Sequence, residues 1–229
     1  MEGTEKYNFF NLFDVLPPAK WQGECPTLSL LTYHDRGLIY RQGEQSGHVF
    51  CLLTGYVKLS RINEQGEQMA LTILKSGEIF GFPLSDSPKY DAEESARAKG
   101  SVQLYKIKVN EFKNLIARTP QMAWRVIQTA WNRQRFLEQR LESMLFKDVR
   151  ARMSLTLNHL AAQFGSKTAH GLKIDVSLTQ QELADLVGAS RPVVSTLLND
   201  LKNRGVIEYH NDFICIHRID TLHELIPSK

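Results

Sequence analysis

After Tyr33 the apolar residues of the chain come in short runs, broken by glycine at Gly37, Gly43, Gly47, Gly55, Gly66, Gly77 and Gly81. Val49-Phe50-Cys51-Leu52-Leu53, Tyr56 to Ile62 and Gln68 to Leu74 read as strands. Two of them alternate with period two, Val57 and Leu59 sharing one face and Met69, Leu71 and Ile73 another. Asn63-Glu64-Gln65-Gly66 supplies turn residues between these two runs. A later run, Val102 to Val109, alternates as well. Many short strands at this spacing predict a small antiparallel sandwich or barrel. Ahead of it, Asn11 to Asp14 and Trp21 predict a short helical lead-in broken by Pro17-Pro18.

From Glu111 the pattern turns helical, and Pro120 suits the first turn of a new helix. Ala123, Ile127, Ala130, Gln134, Leu137, Leu141 and Met144 then follow at alternating steps of four and three, a heptad seam. The stripe is narrow and flanked by charge (Arg125, Arg133, Arg135, Glu138, Arg140, Glu142), which favours a two-chain coiled coil over a helix packed on its own domain. Gln134, polar within the seam, would set register. A second helix is predicted from Lys147 to Phe164, then a polar loop from Gly165 to Gly171, then a short strand from Leu172 to Val176.

The segment from Leu178 to Ile216 carries the functional signal. Thr179 with Glu182 three residues on forms a capping box, and Leu183, Ala184 and Val187 give the helix that follows an apolar face. Gly188-Ala189 makes a tight turn, Ser190 is a second N-cap and Pro192 sits in a first turn. Val194, Leu197, Leu198 and Leu201 form one buried stripe, Gly205 ends the helix, and a hairpin turns on His210-Asn211-Asp212. Helix, turn, helix and hairpin make a winged helix-turn-helix. The opposite face of the second helix carries Arg191, Pro192, Ser195, Thr196 and Asn199, with no acid before Asp200. Such a face fits the major groove, where Arg191 would fork onto guanine and the others would read permissively. Thr179, Gln180 and Ser190, at helix starts, suit phosphate.

Composition adds bounds. The chain has 229 residues, a formal net charge of +3, and 23% charged residues, so charge alone does not point to nucleic acid. No apolar run reaches the length of a membrane span, and the first residues resemble no secretory signal, which predicts a cytoplasmic protein with no membrane partner. Cys25, Cys51 and Cys215, odd in number and widely spaced, read as reduced thiols. A metal enzyme on the β domain would need clustered ligands, but His34 and His48 are isolated and the other five histidines lie at or beyond His159. With no phosphate loop, nucleophile elbow or H-E-x-x-H either, no enzyme, metal site or cofactor is expected.

Three phrases before the long helix, Arg41-Gln42-Gly43-Glu44, Leu53 to Leu59 and Leu74 to Gly81, occur in order with the helix Pro120 to Leu145 and the helix-turn-helix Leu183 to Leu201. Together they resemble the CRP/FNR family of bacterial transcription regulators over nearly the whole chain. The resemblance implies an α+β architecture: an N-terminal antiparallel β-roll of the cyclic-nucleotide-binding type (1–119), a long dimerisation helix (120–146) and a C-terminal winged helix-turn-helix (147–229). It implies a homodimer on double-stranded DNA with half-sites about 34–36 Å apart. It also implies an RNA polymerase contact near Gly165 to Lys173, and a small-molecule effector pocket around Gly81, Phe82, Pro83, Leu84, Arg97, Gln134 and Leu137.

Several positions depart from the family. Where cAMP-binding members hold ribose and cyclic phosphate, this chain reads Gly81-Phe82-Pro83 and Ala92-Glu93, without the acid or the arginine. Phosphate there would meet an acid rather than a cation, so the usual cyclic-nucleotide mode is not expected. Phe80 to Ser85 resembles the cyanobacterial nitrogen-control branch, which binds 2-oxoglutarate, yet the arginine of that branch is also replaced by Ala92. Either another ligand uses the roll or the protein works without one. At the reader, Pro192 replaces the family's acid and Thr196 a second arginine, so the half-site should keep one guanine and differ elsewhere. The alternative is a ligand-sensing scaffold that has lost specific DNA binding.

Overall fold

A computed structural model describes residues 11–81 and 91–224 of the chain. They fall into two compact units, one ending at Asn132 and the other beginning at Arg133.

In the first unit, single 3-10 turns at Leu12–Asp14 and Pro18–Lys20 lead into α1 (Trp21–Glu24). The strands β1 (Ser29–Tyr33), β2 (Leu38–Tyr40), β3 (His48–Ile62), β4 (Gln68–Leu74), β5 (Ile79–Phe80) and β6 (Ser95–Lys108) follow, then α2 (Val109–Arg118) and the first part of α3 (Pro120–Phe146), whose residues from Arg133 on belong to the second unit. Among the described residues these strands form one sheet in the order β1-β6-β3-β4, with β2 on β6 and β5 on β3, all pairs antiparallel. The sequence suggests two strands around Gly55, but they are one. Gly55 takes φ +80°, and a side chain there would strike the Ser101 carbonyl, so glycine lets β3 pass the joint while its register on β6 shifts.

Alternate residues of β3 enter two cores. Phe50 and Leu52 join Tyr40, Phe80, Val102 and Leu104; Val49 and Cys51 join Trp21, Ile107, Phe112, Leu115 and Met122. Burial on both faces explains why Val49 to Leu53 is apolar without interruption. Trp21 is fully buried, donates from Nε1 to the Leu16 carbonyl at 2.7 Å and stacks on Tyr105 at 5.9 Å. The face expected for Met69, Leu71 and Ile73 needs correction. A bulge opposite Leu59 and Ser60 breaks the alternation; Ile73 is buried and Leu71 packs on the core, whereas Met69 is exposed.

In the second unit, α3 gives way to α4 (Val149–Phe164) at Lys147-Asp148. The helix expected to start at Lys147 starts two residues later because Asp148 caps it, its carboxylate accepting from the Ala151 amide at 2.8 Å. β7 (Gly165–Thr168), β8 (Gly171–Ile174), α5 (Gln180–Val187), α6 (Arg191–Asn203), β9 (Ile207–His210), β10 (Phe213–Ile216) and α7 (Ile219–Glu224) complete the unit. The polar loop expected from Gly165 to Gly171 is a hairpin, paired from Gly165↔Ile174 to Thr168↔Gly171. Its exposed side chains hid a backbone that pairs into a sheet ordered β7-β8-β10-β9. β9 and β10 are joined by Asn211 and Asp212, both at positive φ (49° and 64°), the backbone a two-residue hairpin turn requires.

All three cysteines are free. Burial and the nearby Glu111 and Glu24 carboxylates push Cys25 up to about 11, and burial raises Cys51 further, while Cys215 on β10 is partly exposed. His159 of α4 stacks on Phe136 of α3 with ring centroids 4.0 Å apart, and burial pulls its pKa down to about 4.

Two outcomes follow from this packing. Trp21→Ala removes a buried indole and its hydrogen bond and should cost about 3–5 kcal/mol in urea unfolding. His159 is neutral when folded but takes a proton near pH 6.5 when unfolded, so its contribution is complete above pH 6.5 and falls away toward about pH 4. His159→Gln should flatten that part of the stability–pH curve, measured by urea titrations between pH 4 and 7.

Candidate nucleic-acid interface

The first helix of the motif, α5, opens on a complete capping box. Thr179 Oγ1 accepts from the Glu182 amide, and the Glu182 carboxylate accepts from the Thr179 amide at 3.1 Å and from its hydroxyl at 3.2 Å. The Thr179 hydroxyl is thus engaged within the helix start, whereas the Gln180 side chain is half-buried beside it. Leu183, Ala184, Leu186 and Val187 are buried, and Gly188 closes α5 in the left-handed conformation at φ +70°. A methyl group at Gly188 would lie 2.7 Å from Met144 Cε, so Met144 already packs on this turn.

Arginines fix the turn from below. Arg152 of α4 donates to the carbonyls of Val187 (3.1 Å), Gly188 (3.0 Å) and Lys147 (3.1 Å). Arg140 of α3 donates to the Asp185 carbonyl, and burial lowers its pKa against the pull of the Asp185 carboxylate. These guanidinium groups answer carbonyls that a helix C-terminus leaves without partners. Neither role was legible in the sequence, because each contact crosses between helices.

The second helix, α6, buries Val194, Leu198 and Leu201 and leaves Leu197 half-buried. Ser190 stands at the N-cap in extended backbone, with its hydroxyl making no cap bond. Arg191, Pro192, Thr196 and Asn199 are exposed on the outward side, with Ser195 half-buried. The Thr196 hydroxyl donates to the Pro192 carbonyl at 3.0 Å. Val193, absent from the sequence-derived set, is also exposed. Asp200, the acid at the end of this face, pairs with Arg150 of α4 at 2.7 Å and with Arg204 at 3.7 Å, which offsets its charge. Arg150 is a further residue that periodicity did not point to. Behind α6, Tyr209 donates to the Leu178 carbonyl at 3.0 Å and to Asp212 at 2.9 Å; burial and that carboxylate raise its pKa.

Along α3 the seam positions Ile127, Ala130, Gln134, Leu137, Leu141 and Met144 are exposed, and Ala123 is half-buried. Gln134 donates to Glu138 at 2.9 Å along its own helix. The uncovered stripe is wider than heptad counting gave. Trp124 (60% exposed), Trp131 (61%) and Leu145 (68%) flank the Ile127, Gln134 and Leu141 line on its other side.

In the roll, Gly81 is held against the Phe50 ring, while Phe82, Pro83 and Leu84 lie outside the described residues. Tyr40, Phe50 and Phe80 stack with centroids 5.3–6.1 Å apart, and Ala92 is buried in the same cluster. Glu93 is exposed and paired with Arg61. Arg97, expected to line a pocket, instead lies on the outer side of β6. Its neighbours Ala96 and Ala98 take the core side, and its guanidinium donates outward to the Arg36 carbonyl at 3.3 Å.

Comparison with known proteins gives a consistent picture. Residues 139–225 match the Crp-like helix-turn-helix domain and residues 30–119 the cyclic nucleotide-binding domain. The chain is 29% identical over 192 residues to the global nitrogen regulator of a Nostoc species, covering 83% of this chain and 86% of that one. It is 29% identical over 205 residues to the CRP-like cAMP-activated global transcriptional regulator of Mycobacterium tuberculosis, covering 90% and 91%. A CooA mutant from Carboxydothermus hydrogenoformans shares the fold with TM-score 0.80 at 22% identity, over 97% of this chain and 99% of that one. Among the described residues no helix is long and apolar enough to cross a membrane. A cyclic-nucleotide-binding-type roll, a long helix and a Crp-like reader follow one another along one polypeptide, and the chain belongs to the CRP/FNR family of helix-turn-helix transcription regulators, which are not enzymes.

Proposed function

We propose that the protein acts in the cytoplasm as a homodimer that reads a two-fold symmetric DNA site and controls transcription without cAMP. The observation that carries the reading is the outward face of α6, led by exposed Arg191, with its one acid offset by two arginines. Arg191 forks onto a guanine in the major groove; Ser195, Thr196 and Asn199 contact neighbouring positions. The unengaged Ser190 hydroxyl and Gln180 hold backbone phosphate, with Thr179 contributing through its position at the helix start.

The second copy covers the α3 stripe. A line of exposed tryptophan, isoleucine and leucine is the kind of surface that marks a protein interface. The effector side of the reading is supported by the roll interior. Where a cyclic phosphate needs a cation, the chain puts buried Ala92 against a stack of aromatic rings, and Glu93 is turned out to Arg61. An effector, if the roll takes one, therefore differs in chemistry from a cyclic nucleotide. The exposed tip of the β7–β8 hairpin at Ala169-His170 is the surface offered to RNA polymerase.

Two measurements test the reading. Arg191→Ala should cost about 1–3 kcal/mol on the best duplex obtained by in-vitro selection and relax preference at one base pair; unchanged binding would refute the readout. Leu141→Asp should convert a dimer to a monomer in sedimentation, and a variant that stays dimeric would remove α3 as the interface.

A further inference from the structure

We propose that Pro192, Val193 and Thr196 form an apolar reader for the C5-methyl group of thymine, set beside the guanine-reading Arg191; this rests on the DNA-reading function proposed above. The argument starts from what these side chains offer. Pro192 and Val193 occupy the first turn of α6, both exposed, and neither side chain has a polar atom. Val193 is 42% exposed although Val194 beside it is fully buried, so the helix turns one valine inward and holds the other out in water. Helical spacing puts Thr196 one turn on from Pro192 and Val193, on the same side. Its hydroxyl hydrogen is committed to the Pro192 carbonyl at 3.0 Å, which leaves it a methyl group and a lone pair to present outward. Pro192 also lacks a backbone N–H.

No side chain of the three, as held here, can donate a hydrogen bond. Guanine O6 and N7, adenine N7 and thymine O4 all require a donor and gain nothing from the patch, and the N–H donors of adenine N6 and cytosine N4 meet an acceptor only at the Thr196 lone pair, with none on the Pro192 or Val193 side chains. The major-groove edge carries one apolar group, the thymine methyl, and that group matches a surface of ring methylenes and methyls. The patch is continuous with Arg191 along the chain, so the thymine it reads lies within a base pair or two of the guanine. Half-site preference at that position then comes from removing a methyl from water rather than from hydrogen-bond matching.

The test uses the full-length protein and duplexes from in-vitro selection, with each thymine of one half-site replaced singly by deoxyuridine. That exchange removes one methyl and leaves every hydrogen-bonding group in place. Affinity should fall about fourfold, the effect of burying one methyl group, at one or two thymines next to the conserved guanine. The double variant Pro192→Ala, Val193→Ser, which strips most of the apolar surface and leaves the Thr196 methyl, should shrink the difference between the thymine and deoxyuridine duplexes. Selected half-sites without thymine beside the guanine, a parent protein indifferent to the exchange, or a double variant that keeps the penalty would each overturn the inference while leaving DNA reading intact. A protein that selects no duplex at all would overturn both.

Discussion

Arg152 commits its guanidinium to three carbonyl oxygens, at Lys147 between α3 and α4 and at Val187 and Gly188 where α5 ends. Each would otherwise be an acceptor left open by a helix terminus, and a charged donor satisfies such groups better than a neutral one. The geometric result is larger than the hydrogen bonds. A single side chain ties the joint between two long helices to the turn that sets the angle of α6. Arg140 and Met144, from the last turns of α3, hold the same turn from a second direction. Within this unit, the end of α3, the start of α4 and the turn before α6 are therefore tied to one another.

Much of this arrangement was legible in the residue order, for local reasons. The capping box at Thr179 and Glu182, the left-handed Gly188 and the stripe from Val194 to Leu201 are each set within one or two helical turns. Features that depend on distant pairing were not legible. The β7–β8 hairpin looks like a loop because its side chains are polar, and only the neighbouring β10 makes it part of a sheet. The bulge opposite Leu59 and Ser60 inverts the expected side of Met69, and a period-two count has no means of registering an extra residue.

The site shows the same division. Residue type and spacing marked the outward face of α6, and the structure exposes Arg191, Pro192, Thr196 and Asn199 there. Spacing did not mark Arg150, Arg152 or Arg140, whose roles depend on partners 35 to 50 residues away. The heptad count along α3 found one flank of the uncovered stripe and missed the tryptophans on the other. Residues three apart and residues four apart are both near neighbours on a helix, and a single alternating count keeps only one line of them. In the roll, the uninterrupted run from Val49 to Leu53 marked a strand, but not that its two faces enter different cores.

The unequal burial of the three thiols has a practical consequence. Cys25 and Cys51 are sealed in the roll and stay protonated at neutral pH, which makes them poor nucleophiles. Cys215 sits on β10, between Lys173 of β8 and Glu208 of β9, with part of its surface open. A maleimide dye added to the native chain would accordingly attach to the wing sheet, giving a fluorescent reporter close to the reading helix without engineering a new attachment point.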